Sequence, residues 1–149
     1  MNRPCSSGIA EEAAGIFMTA LYSLRTAGDI VHVQLSPRFV IKLRHMMPLW
    51  AEVLDTVRDR QLRRVLIEGD RPPREMRPRE VETHGDFLGS IERPGLRVAF
   101  CLRGYQADAL TEQFRLVANS GASSVKFFDD PDAARAWLEQ GVGGRGGDV

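Results

Sequence analysis

The sequence predicts a single-domain α/β fold: an N-terminal β-hairpin followed by β-α units, giving a mixed sheet of four to five strands with helices packed against it. Three observations carry this reading. Short apolar runs of strand length recur at RVLIE (64–68), LRVAFCL (96–102) and SSVKFF (123–128). Longer segments with apolar residues at helical spacing lie between and after them. Ahead of them, strict alternation flanks Thr26-Ala27-Gly28-Asp29, four turn-forming residues. A length of 149 residues buries a real core without needing a metal or disulfides.

The elements follow in order. Residues 1–16 are small and polar at first and are predicted as a flexible tail, and the domain spans 17–140. Met18, Ala20, Tyr22 and Leu24 alternate, then Val31, Val33 and Leu35 do so after the turn, which makes the hairpin. His32 and Gln34 fall on the face opposite the valines, so His32 is expected to face solvent. Ser36-Pro37 is a hydroxyl followed by a ring suited to a first helical turn, and predicts a helix from there to about Arg60. Phe39, Leu43, Met46, Met47, Trp50, Val53, Leu54 and Val57 form its stripe, and Pro48 within it predicts a kink or a split. Residues 64–68 form a central strand ending at Gly69-Asp70. The prolines of Arg71-Pro72-Pro73-Arg74 then enforce a loop at its carboxyl end. Pro78 opens a helix running to about Glu92, with Val81, Phe87, Leu88 and Ile91 as its apolar side. A strand is predicted over 96–105, a helix over 106–119 with Ala109, Leu110, Phe114, Leu116 and Val117 inward, a strand over 123–128 and a closing helix over 130–140. Residues 141–149 are glycine-rich and predicted to be disordered.

Composition narrows the function classes. Twenty basic and twenty acidic residues balance, and aromatics do not interleave with the arginines, so nucleic acid is not an expected partner. No apolar run is long enough to span a bilayer. Glu11 and Glu12 stand where a signal peptide would be basic. Cys5 and Cys101 do not make a disulfide framework, and a cytoplasmic location is expected. No phosphate-binding glycine pattern and no ligand-spaced His or Cys set is present, so neither cofactor nor metal is expected.

The order of the last elements resembles a known family. A strand (LRVAFCL), a helix with a central Phe (DALTEQFRLVANSGA), a Val/Phe strand with Val125, Phe127 and Phe128, the acidic Asp129, and a helix carrying Ala133 and Ala134 and closing on Trp137-Leu138 are similar to the SpoIIAA-like members of the STAS superfamily, whose topology is also likened to the CRAL-TRIO fold. The resemblance implies a non-enzymatic module that acts by binding. In the anti-sigma-factor antagonists of that superfamily, a phosphorylated Ser begins the helix after a central strand. Here the loop after Asp70 has no Ser or Thr before Thr83, so that switch is not carried over.

Two clusters emerge as candidate ligand-binding residues. Met46, Met47 and Trp50, beside Pro48, would line an adaptable apolar pocket. Arg71, Arg74 and Arg77 would form its polar mouth, because guanidinium forks suit phosphate or carboxylate. They belong to a run that also holds Arg58, Arg60, Arg63, Arg64 and Arg79, and all basic residues but Lys42 and Lys126 are arginine, so a merely solvated surface competes with a site. The expected function is therefore regulatory protein–protein interaction, or binding of a small apolar, amphipathic or anionic ligand. The alternatives are a small enzyme using Asp70, His84 and Tyr105 at the carboxyl ends of the strands, and a homodimeric structural protein. A triad of His84, Asp86 and Ser90 fails on helical spacing, and no catalytic residue is assigned.

Overall fold

The computed structural model describes residues 21–70, 72–91, 95–105, 108–119 and 124–140. The predicted tails at 1–16 and 141–149, the hairpin residues before Leu21, Cys5 and Arg71 lie outside the described residues.

Strands β1 (Tyr22–Ala27) and β2 (Ile30–Leu35) form the predicted hairpin, with Tyr22 opposite Leu35 and Ala27 opposite Ile30. Gly28 takes a positive φ of 64° in the two-residue turn, a conformation that glycine adopts at no steric cost. Helix α1 (Leu43–Arg60), strand β3 (Arg64–Asp70), helix α2 (Pro78–Gly89), strand β4 (Arg97–Arg103), helix α3 (Ala109–Ala118), strand β5 (Ser124–Phe128) and helix α4 (Pro131–Gln140) follow. The five strands lie in the order β1-β2-β3-β4-β5, antiparallel at the hairpin and parallel from β2 onward.

Because each parallel strand is laid beside its predecessor, crossovers of one hand put α1, α2 and α3 on the same face. Val31, Val33, Val65, Ile67, Val98, Phe100 and Val125 supply that face of the sheet, and Leu49, Trp50, Val53, Val57, Val81, Leu88, Phe114 and Ala118 meet them from the helices. The alternate residues Ile30, Leu66, Ala99 and Cys101 point the other way and are covered by Ala134 and Leu138 of α4. The uninterrupted apolar centres of β3 and β4 follow from this double coverage.

Three expectations are corrected, and the one for Pro48, a kink or a split, loses its second alternative. Helix α1 begins at Leu43, after Lys42, instead of at Ser36-Pro37. The Ser36 hydroxyl accepts from Arg38 N at 3.2 Å, and Phe39 N donates to the Ser36 carbonyl, so the cap-like residues make a tight turn that drops Phe39 fully into the core. Pro48 does not split α1. Pro48 and Arg44, whose carbonyl loses its intrahelical donor, are both exposed, so water can serve that carbonyl. His32 is buried, not solvent-facing. Arg25 Nη2 lies 3.0 Å from His32 Nδ1, and a guanidinium only donates, so His32 accepts there and donates from Nε2 to Glu68 at 2.5 Å. Finally, Leu116 is exposed, and the inward face of α3 is Thr111, Phe114 and Ala118.

Candidate ligand pocket

The loop after β3 runs between two anchors. On one side Ile41 N donates to the Pro73 carbonyl at 2.7 Å and Glu75 N donates to the Ile41 carbonyl at 2.9 Å, a short parallel bridge ahead of α1. On the other side Arg74 reaches the start of α3, donating from Nη2 to Asp108 Oδ2 and from Nη1 to Thr111 Oγ1, both at 2.9 Å. Asp108 is also the N-cap of α3, accepting from Thr111 N at 2.8 Å. The Arg74 guanidinium, then the Thr111 hydroxyl and backbone N–H, hold the Asp108 carboxyl far below the usual carboxylate range.

Beneath this strap, at the carboxyl ends of β3 and β4 and on the three-helix face, lies a cavity of about 320 Å³. Leu35, Ile67, Phe100, Leu102 and Phe127 contribute from the strands, Met46, Val81, Leu110 and Phe114 from the helices, and Met76 and Pro72 from the strap. Its wall is rich in aromatic rings. Phe127 stacks on Phe100 at 4.9 Å between centroids and on Tyr105 at 5.3 Å, and His84 stacks on Phe114 at 4.6 Å. The polar groups at the cavity are His84, Tyr105, Arg74, Arg103, Asp108 and Thr111.

His84 and Thr111 are buried polar residues of this wall, 4% and 8% exposed, and Thr111 is taken up by Arg74 and Asp108. Trp50, itself fully buried and edge-on to Phe100, donates from Nε1 to His84 Nε2 at 2.7 Å. Accepting at Nε2 fixes the neutral ring with its proton on Nδ1. Burial points the same way, pushing the imidazole down to about 4. Burial foremost, with Asp108 and Glu112 nearby, pushes the Tyr105 hydroxyl up.

The sequence-derived residues divide. Met46 and Arg74 both line the cavity, Arg74 being bonded to Asp108. Met47 is not among the lining residues, because adjacent helical positions point about 100° apart. Trp50 sits behind the wall and acts through His84. Arg77 is exposed at the start of α2, where its N–H donates to Glu80 Oε1 at 2.8 Å. Of the groups assigned to an enzyme, His84 and Tyr105 share the cavity, whereas Asp70 is exposed, outside the lining, with Arg103 Nε at 3.7 Å. His84 is buried while Asp86 and Ser90 are exposed. Sequence reading missed the aromatic wall and the Trp50–His84 bond, since the rings come from separate elements; the helical phase of Val81, His84 and Leu88 was the available signal.

No family model matches the chain, and no curated protein or solved structure does.

Proposed function

We propose that this protein is a non-enzymatic binding domain, of the kind the SpoIIAA-like STAS resemblance implies, which takes a small apolar or amphipathic ligand under the strap between β3 and α2. The observation that carries the reading is the cavity itself: a largely apolar space at the strand ends whose buried polar residues, His84 and Thr111, are already held by Trp50 and by Arg74. Binding is favoured over catalysis because the titratable groups at the cavity are set away from neutrality. The His84 imidazole is held unprotonated, the Tyr105 hydroxyl is pushed up, and Asp108 is committed to Arg74 and the helix cap. Arg74 is already paired with Asp108 and the other guanidinium at the cavity, Arg103, is largely in solvent, so an apolar body is the better fit.

The test is a titration of the full-length protein with ethylbenzene, followed by backbone amide NMR. The expected result is saturable shifts concentrated at Leu102, Tyr105, Leu110 and Thr111. Saturable shifts confined to α4, on the opposite face, or none up to the solubility limit, would reject the site.

A further inference from the structure

The polarity of the His84 edge specifies the ligand further. Nε2 is consumed by Trp50, so the imidazole, which lines the cavity, has a single N–H donor left at Nδ1, and that donor bonds no other described residue. A neutral donor in an apolar wall discriminates in three ways. A ligand without an acceptor leaves it unpaired, which costs affinity. A ligand ammonium meets another donor in place of an acceptor. A carboxylate seated there gives up its hydration for one uncharged hydrogen bond. What fits is an uncharged oxygen acceptor, such as a carbonyl, on an otherwise apolar molecule. The surrounding walls add a shape preference, because the rings of Phe100, Phe114, Phe127 and Tyr105 present faces and edges to which another flat ring packs favourably.

We propose that the cavity selects a small, uncharged aromatic molecule carrying a carbonyl-type oxygen, seated with that oxygen on His84 Nδ1–H. The inference rests on the cavity being the binding site and goes beyond it in naming the ligand class and the residue that reads it. Trp50 is a positioning residue in this scheme: by donating to Nε2 it keeps the proton on Nδ1.

Acetophenone and ethylbenzene test it, as molecules of nearly the same shape that differ in the carbonyl. Each is titrated into the full-length protein labelled with 15N in histidine, and the imidazole nitrogens of His84 are followed alongside the backbone amides. Acetophenone is expected to move the Nδ1 and Hδ1 resonances of His84, whereas ethylbenzene shifts the cavity amides and leaves those two in place. In the double variant W50F/H84L, which removes donor and acceptor together, the ratio of ethylbenzene Kd to acetophenone Kd is expected to fall about fivefold. If both molecules shift the cavity amides and His84 Nδ1 moves with neither, the ligand class is wrong and the binding site stands. If neither shifts the cavity amides up to saturation of the solution, the site and the class fall together. The wild-type spectra decide the matter without the variant, so its failure to fold does not shelter the proposal.

Discussion

At the scale of single residues, His84 couples the cavity to stability. In the unfolded chain its imidazole titrates near 6.5, and in the fold burial lowers this to about 4. The unfolded state therefore binds the extra proton across that interval. The contribution of neutral His84 is complete above about pH 6.5 and is lost progressively as pH falls toward 4, on the order of 3 kcal/mol in all. Urea denaturation at pH 7.0 and pH 4.5 is expected to show this drop in the wild type and a smaller one in W50F/H84L, where the titrating ring is gone. Equal drops in the two proteins would place the acid sensitivity elsewhere. Asp108 acts lower on the pH scale and with the same sign. Its carboxylate is favoured by Arg74 and Thr111, so its contribution is present above the unfolded carboxylate range and is lost as pH falls below it.

At the scale of elements, the site depends on how closely α2 approaches α3. Gly85, next to His84, permits that approach: a Cβ there would stand 3.0 Å from Val117 Cβ and 3.2 Å from the Phe114 carbonyl oxygen. Gly85→Ala is expected to destabilise the protein by about 1–3 kcal/mol through overpacking, despite alanine's better helix propensity. Thermal denaturation checks the sign, and a variant as stable as wild type or more so would mean that the helices separate freely. The strap after β3 shows the same dependence on neighbours. It has no regular structure of its own between Pro72 and Arg77, yet Ile41 and Asp108 fix it from both sides. Its prolines announce a loop in the sequence, but not that the loop crosses a cavity.

At the scale of the whole molecule, the ascending strand order decides where the cavity lies. In open parallel sheets the crevice at the strand ends arises where strand order reverses and successive helices take opposite faces. Here the order does not reverse, α1 to α3 share one face, and the cavity lies between that helix layer and the sheet. The opposite face carries a separate apolar cluster under α4. Leu138→Ala, in that cluster, is expected to cost about 2–4 kcal/mol in stability while leaving ethylbenzene affinity within about twofold of wild type. Denaturation and ligand titration on the same variant measure both, and a large loss of affinity would show that the faces are not independent. Among the described residues no helix is long and apolar enough to cross a membrane.

Local pattern was sufficient for the hairpin, the three β-α units and the closing helix, because period and turn chemistry are properties of neighbouring residues: Val31 and Val33 alternate, and Asn119 and Gly28 end elements, although the cap at Asp108 that starts α3 was not read. It was insufficient wherever two readings had equal local merit. Ser36-Pro37 serves a turn as well as a helix cap, and only the burial of Phe39 decided between them. His32 alternates like a surface residue, and only Arg25 and Glu68, brought in by adjacent strands, made it a buried one. Met46 and Arg74, which line the cavity, could be singled out because an apolar stripe and a proline-bounded arginine loop are local signals. The aromatic wall and the Trp50–His84 bond were not, since that bond joins residues 34 positions apart on different helices and exists only once α1 and α2 pack on one face of the sheet.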